Sequence, residues 1–397
     1  MDLAPLRLKQ HEDKRLRAGH VWVFSNEVDI AATPLTAFAA GQPVEFQDHA
    51  GKSLGSGYVN PHSLICGRLV SRDAKYILNK SLLVHRLNIA LSLRERLFAQ
   101  PYYRLVFGEG DGLPGLVVDR YGDTLVAQIN TAGMERIKDE VVIALQEVLQ
   151  PARIVFRNDS SSRALEGLEN YVETAWGEPA DEVTLEENGV RFVAPILSGQ
   201  KTGWFYDHRM NRARMQQYVA GKRVLDVFSY ICGWGVQAAA AGAGQVVCID
   251  SSEQALARVS RNAALNGVEE RLSTLHGEAF EALKQLREER ERFDVVILDP
   301  PAFIKRKKDF HAGLAAYQRL NQQAMQVLAK DGILISASCS YHLSATNLRQ
   351  VLQQTSRHVD RNLVILEQGQ QGPDHPLLPA VAETEYLKAL ICRVLPN

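Results

Sequence analysis

The strongest constraint in this chain is a pair of short apolar runs that each end on a chemically active residue. Phe293-Asp-Val-Val-Ile-Leu-Asp299 breaks at Pro300 and Pro301, and Gly332-Ile-Leu-Ile-Ser-Ala-Ser-Cys339 is followed by Ser340. Short apolar runs closed by a breaker read as buried parallel strands, and the stretch from about Leu314 to Leu328 between them reads as a helix. In an open α/β sheet, ligands bind outside the carboxyl ends of the strands. A carboxylate (Asp299) and a thiol (Cys339) are therefore expected to face one crevice. A thiolate is a strong carbon nucleophile, and a nearby acid helps to activate an electron-poor ring. The pairing points to attack on a pyrimidine.

Upstream, Lys222-Arg-Val-Leu-Asp-Val-Phe228 reads as a strand, followed by Ser229-Tyr-Ile-Cys-Gly233-Trp-Gly235 and an Ala-rich helix over 236–241. Gly233 and Gly235 lack a Cβ, which lets a backbone pass close to a ligand; Asp226 and Phe228 line the same loop. Gln245-Val-Val-Cys-Ile-Asp250 is a second strand ending in an acid, the usual acceptor for ribose hydroxyls in such folds. Ser251 or Ser252 then caps a helix running to about Asn266. This much suits a nicotinamide dinucleotide as well as any other adenosine ligand. The loop lacks G-x-G-x-x-G and G-x-x-x-x-G-K-S/T, which counts against dinucleotides and triphosphates. As a whole, the series of strand, Gly loop, Asp250 and Asp299-Pro-Pro resembles the class I S-adenosylmethionine-dependent methyltransferases.

A chain of 397 residues is expected to form two or three domains. Residues 1–72 hold short strand-like runs broken by glycines, which suggests a small β-barrel. Helices are expected over 79–98 and 134–149, a hairpin over 116–129, and a boundary near 183, where the composition turns polar. Five cysteines without C-x-x-C spacing suit a reduced cytoplasm better than a disulfide framework or a metal site. No apolar leader and no apolar stretch of ~18 residues is seen, so neither export nor a membrane span is expected. With 45 basic and 46 acidic residues the net charge is −1, so any nucleic-acid contact must come from local patches. Two candidates are the 7–20 segment with Lys14, Arg15 and Arg17, and Lys305-Arg306-Lys307-Lys308 directly after the Asp299 strand. Trp22 and Phe24, beside the first patch, are spaced like the inward face of a strand, so core packing is the expectation.

The resemblance sharpens over nearly the whole chain. His20-Val-Trp-Val-Phe24, Gly108-Glu-Gly-Asp-Gly-Leu-Pro-Gly115 with Val118-Asp-Arg-Tyr121, Glu186-Glu-Asn-Gly-Val190, Lys201-Thr-Gly-Trp-Phe-Tyr-Asp-His-Arg209, Asp299-Pro-Pro-Ala-Phe303 and Ser338-Cys-Ser340 carry it. Together they are similar to the bacterial 23S rRNA cytosine-5 methyltransferases of the large-subunit methyltransferase I type. The resemblance implies a PUA-type RNA-binding domain (1–72), a central α/β domain (73–183) and a Rossmann-like methyltransferase domain (184–397). The last would hold a seven-stranded mixed sheet with an antiparallel final strand. It implies S-adenosylmethionine as cofactor and 23S rRNA as partner, with no membrane or metal, in a monomer or homodimer. Cys339 would attack C6 of cytosine, C5 would take the methyl group, and Asp299 would hold the N3/N4 edge as a protonated acid, its pKa raised by burial. Phe205, Asp207 and Arg209 would close over the methionine end of the cofactor. Asp226, Phe228, Ser229, Gly233, Gly235, Asp250, Ser251, Glu278, Asp299 and Pro300 would complete its site, Glu278 receiving the adenine amino group. Two departures stand out: Ala302 follows Pro301 where related enzymes carry a second Cys, and Cys232-Gly233 replaces a Gly-Gly pair, adding a rival thiol. A uracil-5 methyltransferase, a guanine-N methyltransferase and a catalytically idle RNA-binding or assembly protein remain the alternatives.

Overall fold

The computed structural model describes residues 3–397, which form two compact units. One unit comprises 184–194, 205–372 and 385–397. It is built on a seven-stranded sheet whose order in space is Leu272–His276, Gln245–Asp250, Arg223–Val227, Phe293–Leu298, Leu328–Ser338, Lys388–Pro396, Arg361–Gln370. The first five strands run parallel, and Lys388–Pro396 is antiparallel to both its neighbours. Four of them read from the sequence as apolar runs, the central ones most plainly, because a strand covered on both faces must be apolar along its length; the count of seven is what the resemblance implies. Register fixes the chemistry at one end: Leu298 pairs with both Val227 and Ser336, so Phe228, Asp299 and Cys339 emerge from three adjacent strands at their carboxyl ends. The core beneath is Leu225, Val227, Phe293, Val296, Leu298, Tyr317 and Leu320, all sealed from solvent. The helix Phe310–Val327 packs there, longer at its start than the expected 314–328.

The other unit comprises 3–183, 195–204 and 373–384. Its first sheet has five strands around a core of Leu6, Leu8, Val23, Phe46 and Leu69. The glycines there serve close strand approach: a Cβ on Gly57 would fall 2.0 Å from the Arg68 carbonyl oxygen and 2.7 Å from the Phe46 ring. A second five-stranded sheet includes the expected hairpin, Leu116–Tyr121 with Thr124–Ile129. The Lys80–Leu97 helix starts where the Asn79 side chain accepts the Leu82 N–H at 3.0 Å. The helix expected over 134–149 is instead two, Ala132–Arg136 and Lys138–Leu149, because Ile137 leaves helical backbone at φ −113°, ψ 25°. Among the described residues no helix is long and apolar enough to cross a membrane.

The Gly108–Gly115 motif finds its explanation inside this unit. Arg94, fully buried, donates to both Asp111 carboxylate oxygens (2.5 and 2.7 Å) and to the Arg104 and Asp374 carbonyls (2.9 and 2.8 Å). The Asp111 carboxylate also accepts the Phe107 N–H at 2.7 Å. Arg94→Met would strand a buried carboxylate and two carbonyls, an uncompensated charge that costs about 3–5 kcal/mol. Urea unfolding of the full chain is expected to report a loss of that size for this unit.

Candidate active site

The Asp299 and Cys339 strand ends converge as the sequence suggested. Cys339 is half-buried, with Sγ 3.9 Å from the Pro300 carbonyl oxygen. The Ser338 and Ser340 hydroxyls flanking it both bond the Tyr317 phenol, at 2.8 and 2.9 Å. Asp299 differs from expectation. Burial alone would push its carboxyl pKa up, but the adjacent His208 ring, with the Trp234 indole N–H, outweighs this and holds it below the ordinary range. His208 Nε2 lies 3.1 Å from Oδ1, and Trp234 Nε1 donates to Oδ2 at 3.2 Å. The protonated acid is therefore corrected to a carboxylate. Sequence reasoning missed both partners. His208 sits inside a quoted motif, and Trp234 lies between the two glycines, but neither position signals a contact with Asp299.

The loop from 228 to 235 also departs from the glycine argument. Positive φ falls on Phe228 (65°), Tyr230 (52°) and Cys232 (63°), not on Gly233 or Gly235. Left-handed backbone on residues with a Cβ is strained, and such strain clusters at ligand clamps. Gly235 faces inward: a Cβ there would meet Cys232 Sγ at 2.3 Å and Cys248 Sγ at 2.8 Å. Those two cysteines form a disulfide, contrary to the expected reduced set, because the loop folds back onto the neighbouring strand with Cα atoms 6.3 Å apart. Cys232 is thereby removed as a rival thiol. Asp226 is sealed beneath the loop and accepts the Gly235 N–H at 2.9 Å; it supports the loop rather than lining it. Asp250 accepts the Tyr230 and Ser252 N–H groups, both at 2.8 Å. Ser252, not Ser251, caps the helix, accepting from Ala255 N at 3.2 Å, and the helix breaks into Glu253–Leu256 and Val259–Ala264. The Ser229 hydroxyl is buried without a hydrogen-bond partner, and Ser251 and Glu278 are exposed. An ordered, strained loop with an orphaned hydroxyl beside a strand-end carboxylate fits an adenosine-type cofactor.

In the 205–209 segment, Phe205 meets the Tyr230 ring edge-on at 5.8 Å. Asp207 accepts the Tyr386 hydroxyl at 2.7 Å. Arg209 lies over the Tyr206 ring and 3.6 Å from buried Glu187, so its guanidinium is held within the protein. The Glu186–Val190 motif explains itself: Glu187 also pairs with Arg212 at 2.5 Å and accepts from Gln237 at 2.9 Å.

The basic patches are less uniform than the sequence implied. Arg15 pairs with Glu27 at 2.6 Å, and Arg17 pairs with Asp13 and Asp48 at 2.5 and 2.9 Å. Lys14 is exposed. Glu27 and Asp48 lie outside the 7–20 window, so the patch seemed richer than it is. Lys305, Lys307 and Lys308 are exposed, while Arg306 pairs with Asp309 at 2.9 Å. Trp22 and Phe24 are not core: Val23 between them is, and they border a cavity of about 600 Å³ with Arg68, Phe107 and Asn130.

A mixed seven-stranded sheet, a strained loop with a carboxylate at the next strand end, and a third crevice wall of Asp-Pro-Pro define a class I methyltransferase. Residues 163–393 match the family described as S-adenosylmethionine-dependent methyltransferase, and residues 6–72 match the PUA-like domain. S-adenosylmethionine is the cofactor of that class. Ribosomal RNA large subunit methyltransferase I of Photobacterium profundum is 37% identical over 392 residues, 98% of each chain. Its counterpart in Aliivibrio fischeri is 36% identical over 393 residues, again 98% of each. The chain belongs to the ribosomal RNA large subunit methyltransferase I family. Among solved structures, SMU.776 complexed with SAH superimposes with a TM-score of 0.84, covering 98% of this chain and 100% of that one at 22% identity. At that identity the likeness speaks for the fold.

Asp226 gives this site a pH signature. Burial pushes its carboxyl up to about 7. A raised carboxyl pKa makes the ionised form unfavourable in the fold, so stability is full below the ordinary carboxyl range near ~4 and declines as pH rises to about 7. Asp226→Asn cannot ionise. Its melting temperature minus that of the wild type is expected to climb between those pH values and level off above them. A flat difference would place the titration elsewhere.

Proposed function

We propose that this protein methylates C5 of a cytosine in 23S rRNA through a covalent bond between Cys339 and C6. The observation that carries the reading is Cys339 Sγ lying 3.9 Å from the Pro300 carbonyl, at the turn that also presents Asp299. In this reaction the thiolate adds to C6 and the electron pair of the C5–C6 double bond moves to C5. S-adenosylmethionine supplies the methyl group. A base or water takes the C5 proton, and the electron pair it leaves expels the thiolate and restores the ring. Asp299, held ionised by His208 and Trp234, accepts from the cytosine N4 amino group. Uracil presents a carbonyl oxygen there, which a carboxylate repels, so cytosine is favoured over uracil. A purine N-methylation would leave the thiol without a task.

Asp250 takes the ribose hydroxyls and Glu278 the adenine amino group, with Phe205, Asp207, Phe228, Ser229, Ser251 and Pro300 around them. Asp226, Arg209, Gly233 and Gly235 act by shaping this site. RNA is held by Lys14, Arg15, Arg17 and Lys305 to Lys308, and the Trp22 and Phe24 faces suit stacking on unpaired bases. Three domains divided at 72/73 and 183/184, and a cytoplasmic location, belong to the same reading.

Methyl transfer from labelled S-adenosylmethionine to protein-free 23S rRNA, followed by nucleoside analysis, tests it. The expected product is 5-methylcytidine from wild type and none from Cys339→Ala. A methylguanosine product, or an active Cys339→Ala, would sink the thiol mechanism. Separately, Asp250→Ala is expected to weaken S-adenosylmethionine binding about tenfold or more by calorimetry, the loss of charged hydrogen bonds.

A further inference from the structure

A buried lysine stands behind the Cys339 strand end, and the chemistry described so far makes no use of it. Lys388 is the first residue of the Lys388–Pro396 strand, directly opposite Ser338 in the antiparallel ladder. It is only 8% exposed. Its Nζ donates to the Ser340 carbonyl at 2.6 Å and to the Tyr386 carbonyl at 2.8 Å. The amine thus reaches from its pairing position at Ser338 to the backbone of Ser340, spanning the residue between them. An ammonium has three donors, and two are fixed on carbonyls. Lysine is rarely this buried without a charge to answer.

We propose that Lys388 is a positioning residue whose buried ammonium, fixed behind the Cys339 strand end, favours the thiolate form of Cys339. The inference rests on Cys339 being the nucleophile. The step balances with solvent: the thiol proton leaves sulfur for water, and the standing ammonium pairs with the thiolate left behind. The thiolate is then the species that forms the bond to carbon. Three neighbouring ionisable groups carry no positive charge. The Tyr317 phenol, contributed by the Phe310–Val327 helix, is pushed up by burial and stays neutral. Glu385 is exposed and of the wrong sign. Asp299, at the end of the adjoining strand, is likewise an anion.

Burial lowers the Lys388 amine to about 8, while the Cys339 and Glu385 charges act the other way. The sign follows: the ammonium is present below that pH and lost above it. A thiol ordinarily ionises near ~8.5, so the lysine matters most where an unaided thiol would still be protonated. A lysine that merely filled space would have no such pH window.

Thiol alkylation reads the proposal without any methyl transfer. Wild type and Lys388→Met would be treated with iodoacetamide from pH 6 to 10, with Cys339 modification followed by site-resolved mass spectrometry. Cys66 and Cys392 are buried and pushed up to about 12, so they stay silent at neutral pH. The expected result is alkylation of Cys339 about fivefold to tenfold slower in Lys388→Met at pH 7, the thiolate loss being partly offset by higher intrinsic nucleophilicity. The gap should close by pH 10, and Lys388→Arg, which keeps the charge, should restore most of the rate at pH 7. Equal profiles in wild type and Lys388→Met overturn the proposal, whatever nucleoside the enzyme makes. S-adenosylhomocysteine binding by calorimetry checks that the variant is folded. If it is not, the wild-type profile decides: an inflection below that of free cysteine supports the pair, and one at or above it overturns it.

Discussion

Glu187 is an ionisable side chain with no solvent exposure, and a buried carboxylate is tolerable only where cations and donors answer it. Arg212 at 2.5 Å, Arg209 at 3.6 Å and the Gln237 amide at 2.9 Å supply that answer from two further segments. The Glu182–Glu187 strand is thereby tied to the 205–215 segment and to the Gly233–Ala240 helix. Those two pieces carry His208, whose Nε2 lies 3.1 Å from one oxygen of Asp299, and Trp234, which donates to the other. Charge compensation at one buried acid therefore positions the groups that hold a second, and the ionisation state of Asp299 follows from it.

The cofactor loop obeys a different constraint. Its strained residues are held by backbone bonds to two acids: Asp226 beneath the Gly235 N–H and Asp250 beside the Tyr230 N–H. Asp250 spends one lone pair per oxygen on the protein and keeps acceptor capacity for ribose. Asp226 spends its contact inward and is expensive to ionise. The loop thus gains rigidity from an acid sealed beneath it, while Asp250 stands at the open strand end.

Much of this was legible in the sequence, and the boundary of legibility has a physical form. Apolar runs ending in Asp250, Asp299 and Cys339 gave strands and the convergence of the last two, because a buried parallel strand imposes its pattern residue by residue. Pairings between remote polar side chains impose none. Nothing local in His208 or Trp234 announces Asp299, and nothing near Arg15 and Arg17 announces Glu27 and Asp48. The Cys232–Cys248 bond was missed for the same reason: its spacing fits no motif, and only the folding of the loop onto the next strand brings the sulfurs together. Trp22 and Phe24 show the reverse error. Alternation was read correctly, but Val23 took the core face and the two aromatics took the other.

Correcting Asp299 from acid to carboxylate moves the difficulty of the proposed reaction. A protonated acid at the N3/N4 edge would draw electrons from the ring and make C6 the easier target. A carboxylate facing the N4 amino group selects cytosine but withdraws nothing, so the electrophile gains little from its reader. The burden passes to the nucleophile, which must arrive fully ionised at a pH where an ordinary thiol is mostly protonated. A buried amine behind the Cys339 strand end meets that requirement without adding a positive charge to the base-reading side. Recognition and activation are then assigned to opposite charges on neighbouring strands, the carboxylate on the Phe293–Leu298 side and the amine on the Lys388–Pro396 side of the thiol.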